Sequence, residues 1–406
     1  MIVRDALRCA TCNKLHVVRI GMGQEERQSH RFHCNNCREE IGVALVMEFA
    51  TKRFWVELEE NAVEANEAEE PTPAIVNLDA NFLIPADMQG VDKVFPRLRQ
   101  AVAMVKQAHD EGYDLDSFKV EPNQRPPEFE GEWKSLRKAW NLYRNGQGPL
   151  CRAEVRRASE TYYSYEPVTS LADWLWRFAS NVSGRKYGKK YAEAMSFIRN
   201  IENRRELFTL MKHYDKEMAP HRGGMYFKII NDYFNLYADF SQIHFSESAG
   251  FDPGDDHVAS YSNFNSTKMF YGNAFEVLGS VSDVLAFISN VSKGRSFDQF
   301  EKLTKKQFYQ LDKIARFNPF SDVLPLAGLC EEADNQLRNG SHHGDINFDV
   351  GAATVWFKAG KGGQGDVQAM PYASYLRRSA KLFLQTVTIL RIELTLASHF
   401  DVSRPL

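Results

Sequence analysis

Two pairs of cysteines, Cys9-Ala-Thr-Cys12 and Cys34-Asn-Asn-Cys37, stand with 21 residues between them near the start of the 406-residue chain. A CxxC turn can aim two sulfurs at one ion, and two such turns joined by a β-hairpin supply the four thiolates of a closed tetrahedral site. The spacing predicts a structural Zn2+ held by Cys9, Cys12, Cys34 and Cys37, with a small β domain folded around it. A catalytic ion is not expected, because four thiolates leave no open position. His16, His30 and His33 lie close enough in sequence to replace a ligand. Four of the six cysteines in metal spacing, with Cys151 and Cys330 isolated, suit a reducing compartment better than a disulfide framework.

The rest of the chain divides by composition. Residues 1–56 alternate β-rich runs (HVVRIGMG, RQSHRF, IGVALVMEF, KRFWVEL) with the cysteine pairs and read as a zinc ribbon built on an antiparallel meander. From Val56, VELEENAVEANEAEEPTPA carries seven glutamates and no lysine or arginine, which reads as an acidic linker over 57–74. Beyond it, apolar residues recur at three- and four-residue spacing, predicting a mainly α chain. INFDV and ATVWFKA interrupt that pattern as a short β-hairpin before a long apolar helix from about Tyr372. A net charge of −3 gives no global attraction to nucleic acid or membrane. With no run of 18 apolar residues and no apolar leader, a cytoplasmic protein without a membrane partner is expected.

Charge is nevertheless concentrated locally. Residues 131–200 hold thirteen Lys/Arg against six Asp/Glu, interleaved with twelve aromatics. Most of the tryptophans read as core. The run GRKYGKKY places Arg185, Lys186, Lys189 and Lys190 within one or two helical turns, a candidate RNA-facing cluster set against the plainer reading of a solvated face. Residues 1–38 carry seven basic residues against three acidic ones, which suits nucleic acid, although ribbons dock on proteins about as readily. The glycine-rich KAGKGGQGD at 358–366 lacks the GK[ST] ending of a phosphate loop and reads as a hairpin turn.

The stretch LRNGSHHGD at 337–345 carries the chemistry. Arg338-Asn339 is followed by a histidine after three further residues, at His343, unlike Arg144-Asn145 and Arg199-Asn200. Histidine can give or take a proton at neutral pH, and arginine offers a planar fork of donors to phosphate oxygens. Together they suit cleavage of RNA by its own 2′-hydroxyl, which needs no metal. A plainer reading is that Arg-Asn-Gly stops a helix, since Asn and Gly favour C-terminal stops; it accounts for neither histidine. A metal site at His342, His343 and Asp345 lacks a complementary cluster: DPGDDH at 252–257 reads as a Pro-Gly turn. Asp334, one turn before Arg338, is expected to pair with it.

Arg-Asn-x-x-x-His late in a helical region, followed by a hairpin and a last long helix, resembles the HEPN superfamily of ribonucleases over about residues 222–400. The resemblance implies a helical middle domain over 75–221 and, over 222–406, a HEPN-like helical bundle with a β-hairpin insertion and Arg338 as the phosphate-binding arginine. It implies Asn339 as the polar residue that orients the site and His343 as the catalytic histidine, with His342 as the competing choice. It also implies a homodimer in which two such pairs face one cleft, RNA as substrate, and no cofactor for catalysis. Such layouts resemble bacterial toxins and anti-phage abortive-infection effectors restrained until a protein or phage-derived trigger arrives. Gly340 departs from the commonest pattern and is expected to weaken the helix there by about 1 kcal/mol. The alternative class is a non-catalytic adaptor that binds nucleic acid or protein through the ribbon and an inactive HEPN fold.

Overall fold

The structure is a computed structural model that describes residues 2–22, 26–48, 50–71, 73–78, 84–85, 102, 106, 110, 129–250, 257–258, 264–343, 346–349, 352–358 and 365–406. Most of residues 79–128 of the expected middle domain, most of the DPGDDH turn and most of the KAGKGGQGD turn lie outside the described residues.

The first part is β. Strands β1 (Ile2–Cys9), β2 (Leu15–Gly21), β3 (Arg27–His33), β4 (Glu40–Glu48) and β5 (Arg53–Glu60) follow the alternating runs of the sequence, and β6 (Ala62–Glu64) and β7 (Ala74–Asn77) follow them. They form two sheets, one ordered β6-β1-β2-β7 and one ordered β3-β4-β5. The second is a simple antiparallel meander, but the first is not, because β7 runs parallel to β2, with His16 beside Ala74 and Arg19 beside Asn77. Every residue of β2 is buried, so both of its edges need partners, and the chain returns to cover the second one.

That return corrects the reading of 57–74 as a linker. Glutamates there pair with cations far back in sequence: Glu67 with Arg4, Glu69 with Arg8 at 2.9 Å, and Glu70 with Lys14. Glu57 and Glu59 hold Arg27 at 2.6 and 2.7 Å, and Glu60 holds Arg31 at 2.6 Å. A short 3-10 turn, Glu67–Glu69, is closed by a capping box on Asn66. The acidic stretch is folded because the basic residues of the sheets neutralise it, and those cations are in turn less available to a phosphate backbone.

The remainder is mainly α. Helices α1 (Phe129–Arg144), α2 (Gly148–Tyr162), α3 (Leu171–Arg199), α4 (Arg204–His213), α5 (Ala219–Asn235) and α6 (Tyr237–Ala249) precede α7 (Phe264–Val281) and α8 (Asp283–Ser292). Short helices α9 (Lys305–Gln310) and α10 (Leu324–Ala327) lead to α11 (Asn335–His343) and the long α12 (Tyr372–His399). Strands β8 (Ile84–Pro85) and β9 (His257–Val258) form a two-residue pair. Between α11 and α12 lie β10 (Ile346–Asp349), β11 (Thr354–Lys358) and β12 (Val367–Pro371), one strand more than the expected hairpin.

The expected division at 221/222 is absent from the packing. One hydrophobic cluster runs from Trp133 of α1 to Val402, and α12 packs against α3, α6 and α7 alike. Trp133 of α1 stacks on Phe234 of α5 with ring centroids 5.8 Å apart. Tyr214, just after α4, donates to the buried Glu393 of α12 at 3.0 Å, tying both expected halves into one unit. The stretch Phe264–Ser292 is long and apolar enough to cross a membrane, but 83% of its most apolar window is buried inside this core.

The two parts meet at Phe348 of β10. Its ring lies 5.3 Å from Phe264 and 4.8 Å from Tyr372 in the helical part, and it also packs on the β core. Arg38, directly after Cys37, approaches the Phe348 carbonyl with Nη1 at 3.5 Å.

Candidate functional site

The cysteine pairs form two matching knuckles. Cys9 accepts from the Asn13 amide at 2.8 Å and donates to the Lys14 carbonyl at 3.0 Å; Cys34 accepts from Arg38 at 3.1 Å and donates to Glu39 at 2.8 Å. The residue after each pair, Asn13 or Arg38, turns the chain with φ of 62° or 67°. Cys9 and Cys37 sulfurs lie 3.6 Å apart, Cys12 and Cys34 3.5 Å, and all four fall within 4.8 Å of one another. Thiolates about 2.3 Å from a central zinc sit about 3.8 Å apart in a tetrahedron, so the four cysteines could hold a metal ion of that kind. Asn61 braces the first knuckle: its Oδ1 accepts from the Thr11 amide at 3.1 Å and its Nδ2 lies 3.6 Å from Cys9 Sγ. A hydrogen bond from the Asn36 side chain holds the Cys12 thiol down to about 6, whereas burial pushes Cys34 up.

The histidines do not join this group. His16 is fully buried, with Nδ1 donating to the Lys14 carbonyl at 3.0 Å and Nε2 accepting from the Asn35 amide at 3.3 Å. Both ring nitrogens are therefore committed to backbone, and burial holds the ring below its ordinary pKa. Among the described residues, the four-cysteine set is the one cluster with metal-ligand geometry, and His30 and His33 stay outside it.

Helix α11 carries the Arg-Asn-x-x-x-His motif, and one expectation about it is corrected. A short helix, α10, and a turn precede it. Asp334 does not pair with Arg338. It caps α11, its Oδ1 accepting from the Gln336 and Leu337 amides at 2.9 and 3.0 Å, and its Oδ2 binds Arg378 of α12 at 3.0 Å. Arg378 also binds the buried Glu332 at 2.6 Å, so one guanidinium fixes the start of α11 against α12. The inner face of α11 is Leu337, Gly340 and Ser341, with the Ser341 hydroxyl 3.2 Å from Tyr375 of α12.

Gly340 does not end the helix, which continues to His343. A Cβ there would lie 3.4 Å from Phe357 Cβ of β11, an ordinary contact distance. At about 100° per residue, Arg338, Asn339, His342 and His343 all fall on the half of the helix opposite that inner stripe. Arg338 and His342 lie about 40° apart on one flank, and Asn339 and His343 about 40° apart on the other. The side chains of His342 and His343 lie outside what the structure describes. Arg338 is half-buried. Its Nη1 donates to Asn339 Oδ1 at 2.8 Å, its Nη2 pairs with Glu276 of α7, and its Nε is buried without a hydrogen-bond partner among the described residues. The structure thus brings Arg338 and Asn339 together and adds Glu276, Arg378 and Tyr375, which the sequence did not single out. The tandem Arg377-Arg378 on an otherwise apolar helix was the available signal for one of them.

The basic run on α3 divides in two. Gly184 bends the helix with φ of 62°, where a Cβ would strike the Ser248 backbone at 2.8 Å. Lys186 then pairs with the buried Glu247 and Lys190 with Glu331 at 2.6 Å, both ammonium groups flanking the Tyr187 ring. These two lysines are structural ties within the fold, while Arg185 and Lys189 remain exposed. Comparison with protein-family models, curated proteins and solved structures finds no match to this chain.

Proposed function

We propose that the chain is a metal-independent endoribonuclease of HEPN type, acting as a homodimer in toxin or anti-phage defence. The observation that carries this reading is the outward half of α11, where Arg338, already oriented by Asn339, shares a surface with two histidine positions. In the proposed reaction His343 takes the proton of an RNA 2′-hydroxyl. The 2′-oxygen bonds to phosphorus, the bond to the 5′-oxygen breaks, and that oxygen leaves with a proton. Arg338 neutralises charge on the phosphorane, and the ends are a cyclic phosphate and a 5′-hydroxyl. The flank separation between Arg338 and His343 suits two copies facing one cleft, each completing the other. In this reading the four cysteines hold a structural zinc that takes no part in the reaction.

The test is incubation of the purified chain with RNA in excess chelator. Cleavage that persists there and disappears in Arg338→Ala and His343→Ala supports the reading. Binding without cleavage, unaltered by either substitution, overturns it.

A second reading, a protein-binding adaptor, draws support from β5. Phe54 and Trp55 on that strand are each 43% exposed, and Arg27 of the same sheet is neutralised by Glu57 and Glu59. An exposed aromatic pair with its charge balanced suits a protein partner better than a phosphate backbone.

A further inference from the structure

On the far side of the helical part, a trough opens between the start of α2, the start of α3 and the end of α12. It consists of two adjoining cavities of about 890 and 780 Å³ that share Pro167, Thr169, Ser170, Ala172 and Arg404. Its charge is one-sided. Arg152, Arg156 and Arg404 line the first cavity and Arg177, Arg199 and Arg404 the second, five arginines in all, against Asp173 as the lining carboxylate. Arg177 is held by Asp173 and Glu166 at 3.1 and 3.0 Å. Arg152, Arg156, Arg199 and Arg404 have no carboxylate partner among the described residues.

A sixth arginine stands behind the wall. Arg391 of α12 is 4% exposed, and its Nε and Nη1 have no hydrogen-bond partner among the described residues. Its guanidinium lies 4.1 Å from the centroid of Tyr191 and 5.3 Å from that of Trp176, two rings that line the second cavity and both bond Thr395. An uncompensated cation in the interior is costly, and an anion in the adjacent trough offsets part of that cost. The aromatic edges and the hydroxyls of Thr169, Ser398 and Ser403 complete a surface of fixed donors and π faces.

We propose that this trough binds a single strand of RNA through its phosphates, at a site separate from α11. Arginine forks suit phosphate oxygens, and aromatic faces accept bases without regard to sequence. Two adjoining cavities lined by spaced arginines suit a chain of phosphates better than one nucleotide. Tyr375, which touches α11, and Thr395, in the trough, are 20 residues apart on α12, or about 30 Å. The choice of RNA rests on the ribonuclease reading; the binding of phosphates does not.

The test uses the full chain and a fluorescein-labelled 2′-O-methyl oligouridylate, which no 2′-hydroxyl attack can cleave, read by polarisation. Arg156→Glu and Arg404→Glu should each weaken binding at least tenfold and flatten its salt dependence, with thermal unfolding unchanged. Arg205→Glu, an exposed reversal on α4 outside the trough, should change it less than threefold. Equal affinity in the trough variants and in Arg205→Glu overturns the proposal, as does ATP binding more tightly than the oligonucleotide. Trough-dependent binding in a protein that never cleaves RNA leaves this inference standing and removes the catalytic one; cleavage with trough-independent binding does the reverse.

Discussion

The guanidinium of Arg338 on α11 is paired with the carboxylate of Glu276 on α7. In the proposed ribonuclease, a carboxylate seated on Arg338 competes with the phosphate. On that reading Glu276→Gln should raise cleavage at subsaturating RNA by about three- to tenfold, mainly through a lower KM, since exchanging a half-buried ion pair for a phosphate contact is worth about 1 kcal/mol. Initial rates against RNA concentration check this. A loss of activity instead would mean that Glu276 holds the arginine in place.

The two histidines separate by substitution. A group that moves a proton in the transition state contributes about 10²- to 10⁴-fold, so His343→Ala should lower kcat by at least that lower figure. His342→Ala should change it by less than about fivefold on the same scale. The pH–rate profile of His342→Ala should keep the inflection that His343→Ala lacks.

Helix α11 tolerates more helix propensity than it has. Gly340 has a helical backbone, and a Cβ there meets Phe357 at an ordinary contact distance. Gly340→Ala should stabilise the chain by about 0.5–1 kcal/mol, measured as a shift of the urea midpoint at constant slope.

The metal reading is checked by stoichiometry. One zinc per chain is expected by elemental analysis, falling below about a tenth in Cys34→Ser, because structural zinc binding depends on a complete ligand set. The helical signal in far-UV circular dichroism should survive that substitution, since the helical core is a separate hydrophobic cluster.

Buried His244 gives a pH signature. It is 1% exposed, its Nδ1 lies 2.9 Å from the Tyr233 hydroxyl, and burial holds its pKa down to about 4. In the unfolded chain it titrates near 6.5. Its contribution is therefore present above pH 6.5 and lost as pH falls toward 4, on the order of 3 kcal/mol. Asp239 and Glu393, both raised to about 7 by burial, act in the opposite direction over the same window. The difference in unfolding free energy between the parent and His244→Gln should thus shrink between pH 7 and pH 4.5, the other groups cancelling. A difference that stays constant with pH rules out a buried neutral imidazole.

Local features were legible from residues alone. Each CxxC knuckle closes within five residues, so its geometry is written in adjacent positions, and the motif of α11 lies within one short helix. The errors share a cause in long-range pairing. Glu67 reads as solvated until Arg4, 63 positions away, is beside it. Asp334 seemed positioned for Arg338 by helical spacing, but it sits at the cap, where its carboxylate serves two amides and the distant Arg378. The boundary at 221/222 followed the extent of the family resemblance, while the core runs through it because Trp133 finds Phe234. Strand β12, VQAMP, has an exposed-to-half-buried face and no alternation to announce it.

Phe348 belongs to both cores, and five positions separate it from His343. Arg38, the residue that closes the second knuckle, leans on its carbonyl. A tug on the cysteine unit is thus delivered, through one ring and one guanidinium, to the strand that leaves the motif helix. The β part is in that sense a handle, and whatever grips it has its hand near the histidines.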